Sequence, residues 1–168
     1  NMSCPNVGAV SWPDGLFERA VEDCEGDGAT RVIVKLPPVR FRSMARVALE
    51  AGVRAFHCCN TLPVPGGGLS GKPLMPLSLR CVDDVLAIVR EMGLEDAGLA
   101  LIGGGGITST DDIDRYADAG ATHVALGTKV MHPRYLWSDA RLRPLIEHAD
   151  RVLAGRADVG GSVAPTGA

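Results

Sequence analysis

The sequence predicts an α/β fold built on a parallel sheet, and three observations predict it. Short β-branched or apolar runs alternate with longer amphipathic stretches, a pattern that joins consecutive parallel strands through right-handed helical crossovers. Most of the 21 Gly and 11 Pro fall in short clusters between these segments, as tight connections require. The residues with chemical potential stand just past the C-terminal ends of the runs: Lys35, Asn60 and Thr61, then two glycine clusters.

The elements follow in order. Residues 15–24 read as a helix with Leu16, Ala20, Val21 and Cys24 on one face and Asp14 as N-cap. Residues 31–36 are β-branched and too brief for a helix, and Pro37-Pro38 closes them because proline cannot donate to a ladder, so they form the first strand. A helix over 43–51 is broken by Gly52, and 53–59 is a second strand ending at Asn60-Thr61. A glycine-dense loop over 63–76 leads into a long amphipathic helix, 76–92, carrying Leu79, Val82, Val85, Leu86 and Val89. Residues 98–102 make a third strand, 103–106 a four-glycine turn, and 109–119 a helix capped by Thr108 or Ser109. Residues 123–126 are a fourth strand closed by Gly127-Thr128-Lys129, and 140–153 a last helix. The Gly/Ala/Pro-rich stretch 155–168 is expected to be a disordered tail.

Four such units suit either an open doubly wound sheet or half of a (β/α)8 barrel, which normally needs about 250 residues. The placement of the special residues at the strand ends favours the barrel, with residues 1–154 as its second half. The first residue is not Met and the opening loop has no strand before it, so a truncated chain is expected.

Composition narrows the function. The 168 residues are 46% hydrophobic and 22% charged, ordinary for one globular domain. A net charge of −3 and seven aromatic residues offer no basic stripe and little base stacking, which argues against nucleic acid as a partner. Five Cys without C-x-x-C or metal-finger spacing fit a reduced, cytoplasmic setting. No apolar run reaches 18 residues, although an anchor upstream of Asn1 stays open. His57, His123, His132 and His148 lack metal-ligand spacing and read as packing or surface residues, so no metal is expected.

The opening Asn1-Met2-Ser3-Cys4-Pro5-Asn6 holds two carboxamides and a thiol in one short loop stiffened by proline, which makes Cys4 a candidate base. Gly103 to Gly106 before a helix, then Gly127-Thr128 one unit later, place two donor-rich turns side by side for a phosphate. The spacing is not that of a P-loop, so nucleotide hydrolysis is not expected. Lys35 ends an apolar strand, where an ammonium calls for an anionic partner, and the Asn60 carboxamide suits a planar ligand with carbonyl and N–H edges.

Five motifs, in order and suitably spaced, resemble the flavin-dependent dihydroorotate dehydrogenases. They are the opening loop, Val34-Lys35-Leu36-Pro37-Pro38, Asn60-Thr61, Gly67-Gly68-Leu69-Ser70-Gly71-Lys72-Pro73-Leu74, and the pair formed by residues 102–107 with Gly127-Thr128. The resemblance covers residues 1 to about 130. It implies a (β/α)8 barrel that holds FMN and oxidises dihydroorotate to orotate in pyrimidine synthesis. It implies that Cys4 takes the C5 proton, that Asn1, Asn6, Asn60 and Thr61 bind the substrate, and that Lys35 lies at the N1/O2 edge of the flavin. Ser70 and Gly71 would then pack along the flavin, and Gly105, Gly106, Gly127 and Thr128 would hold its phosphate. Cysteine at position 4 is similar to the soluble branch, whereas the Gly-Gly-Leu-Ser-Gly-Lys-Pro-Leu loop is closer to the membrane-associated branch, so fumarate, NAD and quinone all stay open as acceptor. The family's first four strands are absent from this sequence, which makes the other half of the barrel an expected partner; a homodimer is compatible with the reading. Two alternatives stand beside it: a related FMN enzyme acting on free pyrimidines, which would carry His where Asn6 stands, and a non-catalytic phosphate- or flavin-binding half-barrel.

Overall fold

The computed structural model describes residues 13–25, 30–127, 129–130 and 139–156. Among these, four strands form one parallel sheet: β1 (Ile33–Lys35), β2 (Ala55–Cys58), β5 (Ala100–Gly104) and β6 (His123–Ala125), in the order β1-β2-β5-β6. The expected alternation is present, with α1 (Leu16–Glu25) ahead of β1, α2 (Arg42–Glu50) between β1 and β2, α3 (Met75–Glu91) before β5, α4 (Thr110–Asp118) between β5 and β6, and α5 (Arg143–Leu153) after β6. Sequential strands are spatial neighbours, as in a partial (β/α)8 barrel.

The two faces of the sheet differ. Val34, Phe56 and Leu101 lie in register on one face, are almost fully buried, and belong to the same core as Met44, Ala45, Ala48 and Leu49 of α2, Val82, Val85 and Ile88 of α3, and Ile113 and Tyr116 of α4. The long helix α3 fits this role because its buried residues, Met75, Ser78, Val82, Val85 and Val89, recur at three- and four-residue spacing. The opposite face carries Ile33, Lys35, His57, Ile102 and His123. Ile33 is 56% exposed there, so among the described residues the face lies open.

Four expectations change. The glycine-dense stretch after β2 is an antiparallel hairpin, β3 (Leu62–Val64) with β4 (Gly67–Leu69), turning at Pro65-Gly66 with Gly66 at φ +85°. Proline followed by a positive-φ glycine is the chemistry of a type II turn, and glycines in β4 hid the strand because they leave no side-chain alternation to read. The four-glycine turn is only two residues long, since Gly103 and Gly104 complete β5. They are glycines for close packing: a Cβ on Gly103 would lie 2.4 Å from the Tyr116 ring, and one on Gly104 would lie 2.8 Å from His57 Nε2. The last helix starts at Arg143, where Pro144 suits the first turn, and Asp139–Arg141 is a short 3-10 segment. At the start of the expected tail, Gly155 and Arg156 form a turn in which the Arg156 guanidinium donates to the Ala117 carbonyl; residues 157–168 lie outside the described residues.

Candidate active site

The C-terminal ends of the four parallel strands lie along one edge, and the loops that leave them are tied together. At β1 and β2, the Leu36 N–H donates to the His57 carbonyl (3.1 Å) and the Asn60 N–H to the Leu36 carbonyl (2.8 Å), so Lys35 and Asn60 sit on adjoining strand ends. Asn60 is 5% exposed, and its side-chain oxygen accepts from the Thr61 N–H at 3.0 Å. A cis peptide joins Cys58 to Cys59 just before it.

At β5, Gly105 and Gly106 have φ +125° and +75°, conformations that glycine alone adopts without strain. A Cβ on Gly106 would meet Lys72 Cα at 2.7 Å and the Gly71 carbonyl oxygen at 2.9 Å, so the turn after β5 presses directly on the loop after β4. Gly71, itself at φ +72°, is thereby brought against Gly106, whereas Ser70, next to it in the chain, is exposed. Gly127 follows β6, and its neighbour Lys129 donates through Nζ to the Thr108 carbonyl, at 2.5 Å, in the β5–α4 connection. Lys35, Asn60, Thr61, Gly71, Gly105, Gly106 and Gly127 are therefore gathered at one end of the sheet. Asn1, Cys4, Asn6 and Thr128 lie outside the described residues.

Several residues that hold this end together escape a reading of the sequence. Asp112 is 2% exposed; it pairs with the Lys72 ammonium and accepts from the Thr108 N–H (2.9 Å), the Thr108 hydroxyl (3.1 Å) and the Ser109 N–H (3.2 Å). Burial opposes its ionisation, yet these hydrogen bonds, led by Lys72, hold its pKa well below the usual carboxylate range. The Ser-x-x-Asp spacing from the N-cap Ser109 to Asp112 is a capping-box signal that was there to find. Ser78 is fully buried on the core stripe of α3 and faces the carbonyls of Cys58 (2.6 Å) and Gly104 (2.8 Å), bridging the ends of β2 and β5. A polar residue on an apolar stripe is its only trace in the sequence. Tyr116 donates to the Gly105 carbonyl at 2.8 Å.

His57 is placed as the packing residue the sequence suggested. It is half-buried on the open face, in register with Lys35 and against Gly104. Burial lowers its pKa from 6.5 to about 4, and the Lys35 ammonium pushes the same way, so it stays neutral near pH 7. Two buried cysteines near this end, Cys59 and Cys81, hold their protons firmly. Burial and the neighbouring Cys58 push the Cys59 thiol up to about 12, and a hydrogen bond with Cys58 together with burial pushes Cys81 far above the ordinary range. Among the described residues no His/Cys/Asp/Glu group is placed to hold a metal ion, and no helix is long and apolar enough to cross a membrane.

This end thus joins a cation, a buried carboxamide and a glycine cradle. The family profile for dihydroorotate dehydrogenase matches residues 1–145. The chain belongs to the dihydroorotate dehydrogenase family. Its relatives include proteins named dihydroorotate dehydrogenase B (NAD(+)), catalytic subunit: that of Archaeoglobus fulgidus is 30% identical, with 82% of this chain and 50% of the relative covered, and that of Trichlorobacter lovleyi is 35% identical, with 76% and 46% covered. Among solved structures, a dihydroorotate dehydrogenase (DHODH) from Eimeria tenella in complex with ferulenol matches at 26% identity and TM-score 0.55, covering 79% of this chain and 38% of that one. The ligand-free DHODH of the same organism matches at 28% identity and TM-score 0.56, over 77% and 38%. The chain spans about half the length of the curated relatives it matches. The parallel sheet of the described residues is consistent with part of a (β/α)8 barrel of this family.

Proposed function

We propose that this chain, as residues 1–154 of the second half of a complete barrel, forms much of the site of an FMN-dependent dihydroorotate dehydrogenase that oxidises dihydroorotate to orotate in pyrimidine synthesis. The observation that carries the reading is the meeting of Lys35, the buried Asn60 and the Gly71/Gly105/Gly106 cradle at one end of the sheet. Gly106 has no room for a side chain because the Gly71–Lys72 backbone packs against it, and two successive glycines at positive φ ahead of α4 are a backbone arrangement that can turn N–H groups toward an anion, which fits a flavin phosphate. Gly105, Gly106, Gly127 and Thr128 would hold that phosphate, Ser70 and Gly71 would line the ring, and Lys35 would contribute the nearby positive charge.

Bound FMN supplies the two-electron acceptor for the hydride leaving C6 of the substrate. The chain's own residues do the rest. The Cys4 sulfur, as thiolate, takes the proton from C5, so that one hydride and one proton leave together and the ring double bond forms. Asn1, Asn6 and Asn60, with Thr61, hold the carbonyl and N–H edges of the ring and its carboxylate. An ordinary thiol has a pKa of about 8.5, so catalysis strengthens as pH rises toward that value. Cysteine at position 4 and relatives named as NAD(+) catalytic subunits support NAD as final acceptor and a further subunit as partner; Cys4, as in the soluble branch, fits a cytoplasmic setting.

The complete flavoprotein containing this chain, mixed without oxygen with dihydroorotate, should lose its FMN absorbance within seconds, while dihydrouracil, which lacks the carboxylate, should leave it coloured. Bleaching by dihydrouracil alone would overturn the substrate assignment.

A further inference from the structure

Tyr116 and Ser78 take no part in the chemistry above, yet one captures a carbonyl of the turn that forms the cradle and the other the carbonyl of the strand residue that enters it. Tyr116 donates to the carbonyl of Gly105 at 2.8 Å, and Ser78 faces the carbonyl of Gly104 at 2.8 Å. Both side chains rise from the helix layer, one from α4 and one from α3, and both are buried. The Gly104–Gly105 and Gly105–Gly106 peptides are trans. In a trans peptide the N–H points opposite to the C=O of the same unit. Drawing the carbonyls of Gly104 and Gly105 down into the helix layer therefore turns the N–H groups of Gly105 and Gly106 the other way, side by side and away from the core. Two successive N–H groups presented by glycines at positive φ form an anion-binding concavity.

Resting on the proposed FMN site, we infer that Tyr116, assisted by Ser78, is a positioning residue that aims the Gly105 and Gly106 N–H groups at the cofactor's phosphate. The ring of Tyr116 also fills the space left by Gly103, where a Cβ would come within 2.4 Å of it, which fixes the height from which the hydroxyl reaches the turn. Burial pushes the phenol up to about 12, so it remains a neutral donor throughout the working range. Ser78 has one proton for two carbonyls, those of Cys58 and Gly104, and so shares its hold between β2 and the turn, which leaves Tyr116 the stronger of the two.

The test separates phosphate binding from folding. In the complete protein, FMN and riboflavin differ only by the phosphate, so the ratio of their dissociation constants reads the cradle alone. Tyr116→Phe keeps the ring and its packing while removing the donor. It should weaken FMN binding about tenfold, the size of one such hydrogen bond, and leave riboflavin affinity unchanged; Ser78→Ala should move the same ratio by less. Equal loss of both ligands, or no change in either, would show that the tyrosine only packs and would overturn the inference. A wild-type protein that binds neither flavin would instead defeat the cofactor assignment on which the inference rests.

Discussion

At the scale of single residues, the end of the sheet divides thiols and bases by their surroundings. Cys24 is exposed whereas Cys58, Cys59 and Cys81 are buried, the latter two with raised pKa values. Brief treatment of the folded protein with iodoacetamide at pH 8 should therefore label Cys24 and spare these three, and peptide mapping that finds Cys59 or Cys81 modified as fast would contradict their burial. His57 makes a pH prediction. Its folded pKa, about 4, lies below its ordinary value of 6.5, so the unfolded chain binds the proton first and stability falls as pH drops from 6.5 toward 4. His57→Leu should flatten the melting temperature across that interval, and an unchanged slope would remove His57 as its source. Lys35 and Asn60 were legible in the sequence because each stands at a strand end with the wrong polarity for a core. The face that His57 takes was not, because a histidine inside an apolar strand carries no sign of it until register places Lys35 beside it.

Between elements, the tie that matters most is the one from Lys72 to Asp112, which fastens the loop after β4 to the turn before α4. Lys72 is half-exposed, so water screens the pair, and Lys72→Met should cost about 1 kcal/mol in chemical denaturation. The sign of its pH dependence follows from Asp112, whose folded pKa is depressed: the stabilisation is complete above the ordinary carboxylate value near 4 and is lost as pH falls below it. The variant should show a smaller loss of stability in acid than the wild type, and an identical acid profile would mean that the pair is not coupled to folding. The parallel strands and helices were readable because their apolar runs have period and length. The β3–β4 hairpin was not, since Gly67 and Gly68 carry no side chains to alternate, and neither was the length of the turn, since Gly103 and Gly104 are glycines for the sake of Tyr116 and His57.

For the whole molecule, the partial barrel was legible from the special residues at the strand ends rather than from the count of β-α units, and its meaning lies in the sheet face, open among the described residues, that carries Ile33, Lys35, His57 and Ile102. Ile33 stands 56% exposed, and among the described residues β1 and β6 end the sheet on either side. The 168-residue chain alone should bind a hydrophobic dye on this face and hold FMN weakly, and co-expression with the remaining strands should abolish dye binding; stoichiometric flavin on the isolated chain would contradict an incomplete site. Cys4, Asn1 and Asn6 enter the account through sequence and family alone, so the most direct test falls on Cys4. That test is the rate of anaerobic FMN bleaching by dihydroorotate, measured from pH 6 to 10 in the complete enzyme and in Cys4→Ala. The wild-type rate should climb through the ionisation of a thiol, and the variant should retain bound FMN but bleach at least about a hundredfold more slowly at pH 7; equal rates and equal pH profiles would contradict the assignment of Cys4 as the base.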